Sequence, residues 1–448
     1  MTAAPASEQA STRVEARHPV RVDIDGDFAL DDLLALPEVG PARRLHAVPA
    51  TLAALRRLHA ADDAESTAGA PRELGGTPSA PTEADAILLH RIEASSLFRP
   101  PVREQVANLS PEVGAAWLAL AARWVDLSRS NADLRFLNTA CKLTGAVWLH
   151  HKRAGGPWHE PGLTGQVAAV ARLLDKATDR LRRRLANRIV LAESAGISEE
   201  ALWPGRRGTA DQARITVLAS AGSRSAGRLV TAATTAGLPI QAVCWYTPLH
   251  TGPPESSNYS SAWYPPAAPG PTTSPEVPSG VPTTTARSWD DVAAAIRAAE
   301  ADVVLLVGMP VVPDHVLGAA RLGVLNAHNG ALPSCRGMDA VGWALLNNQP
   351  VVCSLHLARP VVDAGEVIAA HPVPIAPVDT LAARVKATQL QLLLAGAAHV
   401  TDTGALPDLT PQPAAGTQFY RLHPHLKRLL DASPYAYNDG PRRTVIQP

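Results

Sequence analysis

The sequence predicts an α/β chain in which an open, mostly parallel sheet follows a mainly α-helical N-terminal domain. Three observations carry this. Between about residues 85 and 195, apolar residues recur at helical spacing. From about residue 206 the texture changes to short apolar runs alternating with helical stretches, the pattern of βαβ units. Among those runs, "ADVVLLVG" is apolar throughout, as a strand covered on both faces must be.

Residues 1–20 read as a disordered leader. "RVDIDGDFALDD" follows, with a short strand over Val20–Ile24 and a turn at Asp25-Gly26-Asp27. Asp23, Asp25, Asp27, Asp31 and Asp32 invite a calcium site. A calcium-binding loop opening at Asp23 needs a glutamate at its twelfth position, where Leu34 stands, so a polar turn and helix cap account for them better. Residues 61–84 read as a loop. Val113, Trp117, Leu120, Trp124 and Leu127 form one apolar stripe; Leu134, Leu137, Cys141 and Trp148 form a second, and Val167, Val170, Leu174, Leu181 and Leu185 a third. The third helix carries Arg180, Arg182, Arg183, Arg184 and Arg188, an ordinary solvated face. His150, His151 and His159 match no metal-ligand spacing. These residues make a domain over 21–205 whose role the sequence does not indicate.

"ARITVLAS" alternates as a strand, "AGSRSAGRLVTAATTAGLP" gives a turn, a helix and a glycine stop, and "IQAVCWYT" a second strand. Residues 251–285, dominated by Pro, Ser, Thr and Gly, read as a loop. "SWDDVAAAIRAAE" is a helix with Ser288 as N-cap. "GVLNAH" is another buried strand. "PVVCSLHLA" and "EVIAAHPV" form a strand pair, and "DTLAARVKATQLQLLLAG" a closing helix capped by Asp379. The second domain therefore spans 206–400, with 401–448 a C-terminal extension, and the composition shift predicts that 206–448 fold on their own.

Lys plus Arg and Asp plus Glu both total 41 in this chain of 448 residues, so the formal net charge is zero, which speaks against nucleic acid as the main ligand. No apolar run reaches membrane length and the first twenty residues lack a signal-peptide core. Cys141, Cys244, Cys335 and Cys353 are scattered, as in a cytoplasmic protein with reduced thiols, and predict neither a metal site nor a disulfide framework.

The chemistry is concentrated in "VLNAHNGALPSCRG". Open α/β sheets bind ligands at the carboxyl ends of their strands, and alternation puts Asn326 and His328 on the same side of one. A turn at Asp363-Ala364-Gly365 supplies a carboxylate that can reach the imidazole, orient it and raise its pKa. An amide that stabilises an oxyanion and an imidazole that moves a proton suit acyl transfer to a neutral nucleophile. Cys335 has no feature that would make it a thiolate, so the acyl group moves directly from donor to acceptor. His356 and His371 read as structural, and His423 and His425 as packing.

These residues carry a resemblance over about 212–400 to the folate-dependent formyltransferases, the family of the methionyl-tRNA, glycinamide ribonucleotide, amino-sugar and hydroxyornithine enzymes. Its pattern of Asn-x-His, Leu-Pro-x-x-Arg-Gly and a later Asp-x-Gly is met by Asn326, His328, Leu332-Pro333, Arg336-Gly337 and Asp363-x-Gly365. The resemblance implies a Rossmann-like sheet, 10-formyltetrahydrofolate as donor, and catalytic roles for Asn326, His328 and Asp363. Met309, Pro310, Val311 and Val312, together with Arg336, Gly337, Ala364 and Gly365, would lie against the folate. His328-Asn329-Gly330 and Asp363-Ala364-Gly365 depart from the family's usual His-Pro-Ser or His-Gly-Gly and Asp-Thr-Gly. The implied partner is a small-molecule amine, with neither nucleic acid nor membrane; a homo-oligomer is left open. Hydrolysis of the formyl-folate, with water as acceptor, is the alternative activity, and a non-catalytic binding protein on this fold the alternative class.

Overall fold

The computed structural model describes residues 81–94, 111–130, 133–154, 161–186, 213–247, 277–373 and 381–431. The leader, the Asp23–Asp32 cluster, His159, Arg188, the 205/206 boundary, residues 251–276 of the expected loop, Asp379 and residues 432–448 lie outside them, as do the side chains of His150 and His151.

Among the described residues, four helices come first: α1 (Glu83–Ala94), α2 (Pro111–Ser130), α3 (Arg135–Ala154) and α4 (Pro161–Ala186). Their predicted stripes are the buried faces. Trp117, Leu120, Trp124 and Leu127 of α2, Leu137 and Cys141 of α3, and Val170, Leu174 and Leu181 of α4 are all buried. Trp124 meets Phe136 edge to face at 5.6 Å between ring centroids. Charged groups inside this layer are paired, while the buried indole N–H of Trp117 has no partner among the described residues. Asp85 takes a two-pronged contact from Arg123 and a bond from the indole of Trp124. Glu93 is held by Lys142, Thr139 and Asn138, and the Lys142 and Glu93 side chains are 2% and 3% exposed. Arg180, Arg182 and Arg183 lie on the exposed side of α4, as expected.

The sheet comprises β1 (Ile215–Ser220), β2 (Ile240–Tyr246), β3 (Thr283–Ala286), β4 (Val303–Val307), β5 (Gly323–His328), β7 (Val352–Leu357) and β8 (Val367–Pro372), in the order β3-β2-β1-β4-β5-β7-β8. Pairing is parallel from β3 to β5 and antiparallel from β5 to β8. This is the open, mostly parallel Rossmann-like sheet that the sequence predicts. Period-2 alternation divides β4 between two covered faces. Val303, Leu305 and Val307 face one core, with α5 (Arg224–Thr235) and α9 (Leu381–Thr403); Val304 and Leu306 face another, with α6 (Trp289–Ala298) and α7 (Asp314–Leu317). Ser288 caps α6 in a reciprocal box with Asp291.

Three features differ from the sequence reading. Thr283–Ala286, expected within the 251–285 loop, forms the edge strand β3; four residues without apolar alternation give no strand signal. The closing helix runs on to Thr403, past the expected boundary at 400. The extension then folds back into the body. Its strand β9 (Gln418–Phe419) pairs with β6 (Arg336–Gly337) in the signature loop, and its helix α10 (Pro424–Asp431) buries Leu426, Leu429 and Leu430. Asn138 of α3 donates to the Arg421 carbonyl and accepts from the His423 amide, and His425 meets Thr178 of α4 at 3.2 Å. Both histidines therefore pack, as expected. One continuous hydrophobic core joins the helical layer, this extension and one face of the sheet.

Candidate active site

The strand order reverses between β1 and β4, so their connections leave in opposite directions and open a crevice at the carboxyl ends. β5 borders it. Leu306 pairs with Asn326, so the loop leaving β4 at Gly308 begins beside the Asn326 level. Gln389 of α9 donates to the carbonyl of Ala327, fixing the strand end between the two polar side chains. Ser354 of β7 accepts from Leu332 N and donates to Gly330 O, tying the following loop to the sheet.

The chain brings Asn326, His328 and Asp363 together, and adds a fourth group. His328 Nδ1 lies 3.3 Å from Asp363 Oδ2, and Asp363 Oδ1 lies 3.5 Å from His356 Nε2. Asn326 Nδ2 meets that same His356 nitrogen at 3.1 Å. His356, read from sequence as structural, thus belongs to the cluster. Antiparallel pairing of β7 on β5 sets His356 opposite Asn326, a register that neither strand's own pattern reveals. Its Nδ1 faces the Leu357 carbonyl at 2.7 Å and must carry a proton, so in the neutral ring Nε2 accepts from Asn326. The second N–H of the Asn326 amide has no partner among the described residues and is left for a ligand oxygen.

His328 is 6% exposed, and its Nε2 points at the Cys335 carbonyl at 2.8 Å, so that nitrogen holds the ring proton. Nδ1 then turns a lone pair toward Asp363. Burial pulls the imidazole below its ordinary value; the Asp363 carboxylate pulls the other way, as the sequence reading expects, without cancelling it. Burial pushes Asp363 up, but its contact with His356, the charge available on both rings and the Gly337 N–H at 2.9 Å together hold it below the usual carboxylate range. The carboxylate is therefore ionised, with His328 Nδ1 beside one oxygen and His356 Nε2 beside the other. Cys335 contributes a carbonyl, not a nucleophile; burial and Asp363 push its thiol up to about 12.

Asp363 itself sits at φ 54°, in the left-handed region that Asp tolerates better than most residues. Gly365 is required by contact: a Cβ there would lie 1.8 Å from the Leu357 carbonyl oxygen and 2.9 Å from Arg359 Cγ. Gly365→Ala is expected to push the turn off β7 and lower the thermal midpoint by roughly 5 °C or more. A scanning-calorimetry midpoint equal to the wild type's would contradict the close approach.

The residues expected against the donor divide. Val311, in the loop after β4, is 64% exposed, and Val361, two residues before Asp363, is 66% exposed. Met309 is partly buried, with Ser220 Oγ 3.7 Å from its sulfur, and Pro310 is exposed. Val312 points into the core and Ala364 is half-buried within the turn. The Gly337 amide serves Asp363. The Arg336 guanidinium is buried and bonded to Gln412 Oε1 and the Pro413 carbonyl, in the C-terminal extension. No group of His, Cys, Asp or Glu able to hold a metal occurs among the described residues, and none of their helices is long and apolar enough to cross a membrane.

Residues 213–394 match a family model described as formyl transferase. A methionyl-tRNA formyltransferase of Parabacteroides distasonis is 30% identical over 150 residues, 32% of this chain and 45% of that protein. One from Chlorobium limicola is 32% identical over 114 residues, 25% of this chain and 34% of that protein. The chain thus spans less than half the length of these curated relatives. Among solved structures, glycinamide ribonucleotide transformylase 1 from Symbiobacterium toebii aligns at 19% identity and TM-score 0.33, covering 45% of this chain and 95% of that one. A sugar N-formyltransferase from a Shewanella species aligns at 18% identity and TM-score 0.32, covering 47% and 77%.

Proposed function

We propose, from the premise that residues 213–394 are a formyl transferase domain, that this chain moves a formyl group from 10-formyltetrahydrofolate to the amine of a small molecule such as an amino sugar, a hydroxyornithine, an amino acid or a peptide. The observation that supports this best is the connected set Asn326–His356–Asp363–His328 at the carboxyl end of β5. A partly apolar donor is further supported by exposed apolar side chains at Val311, in the loop after β4, and at Val361, two residues before Asp363. The donor supplies the activated formyl group. When the amine attacks, the spare N–H of Asn326 meets the oxygen that becomes negative. The proton leaving the amine is taken at the Asp363–His328 pair, where Nδ1 and the carboxylate share a seat for it, and passes to the donor nitrogen as that nitrogen's bond to the formyl carbon breaks and tetrahydrofolate departs. His356 keeps the Asn326 amide oriented. The balanced charge of the chain supports a small acceptor over a polyanion.

The test is donor consumption by the full chain with a panel of amines, following both N-formyl product and free formate. Amine-dependent product is expected, with Asn326→Ala slower by about a hundred- to a thousandfold at unchanged donor affinity. Formate release independent of any amine would reassign the acceptor as water. No consumption under either condition would overturn the proposal.

A further inference from the structure

Gln412 lies in the extension, outside the residues that match the family model, and its amide touches both halves of the signature. Oε1 accepts from Arg336 Nε at 3.0 Å. Nε2 donates to the carbonyls of Asp363, at 2.9 Å, and Gly365. The amide cannot be reversed, because a flipped oxygen would face two carbonyls and a flipped nitrogen would face a guanidinium. The chain on either side is anchored. Thr410 exchanges two backbone bonds of 2.8 Å with Val367 at the start of β8. Arg336 N donates to Thr417 O and Met338 N to Phe419 O, both at 3.0 Å. Gly416 lies so close to the Arg336 guanidinium that a Cβ would meet its central carbon at 2.4 Å.

We infer that Gln412 is a positioning residue: it clamps the turn carrying Asp363 to the loop carrying Arg336-Gly337, and so sets the carboxylate's distance to His328. The assignment deepens the formyl-transfer reading and rests on it for the catalytic consequence. Asp363 receives the Gly337 amide on one oxygen, so the relative placement of the two loops decides whether that oxygen also lies beside His328 Nδ1. Displacements near an ångström at such a distance cost about a hundredfold in rate.

Two substitutions separate this role from simple anchoring. Gln412→Glu keeps the length and strengthens the contact with Arg336, but sets a carboxylate oxygen against the carbonyls of Asp363 and Gly365. Gln412→Ala removes both contacts. If Gln412 only anchors the extension, Gln412→Glu behaves as wild type and Gln412→Ala alone is impaired. If it positions Asp363, both variants lower kcat by roughly ten- to a hundredfold with the donor KM within about twofold. The deciding readout is independent of turnover: the imidazole titration of His328 by NMR in the histidine-labelled full chain, assigned by its loss in His328→Gln. The titratable groups facing that ring are Asp363 and, at 6.5 Å between centroids, His356. Both Gln412 variants are expected to move the His328 midpoint by about half a pH unit or more. A Gln412→Glu titration superimposed on the wild type's overturns the inference. A shifted titration in a chain that transfers no formyl group leaves the inference standing and overturns the functional proposal instead.

Discussion

Replacing Asp363 by asparagine is expected to lower formyl transfer by about a thousandfold or more, the largest kinetic effect of any single substitution at the site. The change is conservative in every respect but charge. Asparagine tolerates the left-handed backbone at φ 54° and its oxygen can still accept from Gly337. What is lost is the anion between His328 and His356. A proton arriving at His328 Nδ1 then has no carboxylate to share it, and if the amide nitrogen faces the ring it presents a donor where a proton must land. The pH profile gives an independent sign. The carboxylate is the main influence raising the imidazole of His328 against the burial that depresses it. Without it the ring falls further below its ordinary value, so the acid limb of the residual activity moves to lower pH. Measurement of kcat between pH 5 and 9 checks both. A variant within tenfold of wild type, or an acid limb displaced upward, would remove Asp363 from the reaction.

Breaking the buried ion pair of the helical layer is expected to have the largest effect on stability. Lys142→Met removes the cation from Glu93 in a site where both side chains are almost wholly buried, at a cost of about 3–5 kcal/mol. Removing both charges, as Lys142→Met with Glu93→Leu, should recover much of that loss, since the penalty arises from the unpartnered carboxylate more than from the missing attraction. Urea unfolding followed by far-ultraviolet circular dichroism together with tryptophan fluorescence measures the change, since Trp117 and Trp124 are buried within the layer and Trp343 outside it. A single substitution costing less than about 1 kcal/mol would show that water reaches the pair.

The sheet was legible where burial is symmetrical. Val303–Val307 is apolar at every position because both faces are covered, and the capping box at Ser288 and Asp291 is a local signal with a local cause. Asn326, His328 and Asp363 were legible because strand alternation and a turn are short-range consequences of sequence. What escaped the sequence depends on pairing across distance. His356 enters the site through the register of β7 on β5, thirty residues from Asn326. Gln412 reaches Asp363 across 49 residues, and β9 pairs with β6 through only two residues, too few to leave a pattern. The partners of the Arg336 guanidinium escaped for the same reason: they lie in a segment whose return path no local pattern reveals.

That return path has a consequence for how the protein is made. Translation delivers the helices over 83–186 first and the strands of the sheet next. A nascent chain that has emerged only to Gly404 already contains Asn326, His328, His356 and Asp363, but its signature loop lacks the strand that pairs with Arg336-Gly337, and its Asp363 turn lacks Gln412. Ribosome-bound chains arrested there should therefore hold a nearly complete sheet with an unset active centre, while a further thirty residues or so, emerging at about 5–20 per second, supply the last contacts within seconds. Assembly of the sheet and setting of the proposed site are thus separate events in the life of each molecule, and the second waits for residues outside the cluster of Asn326, His328, His356 and Asp363.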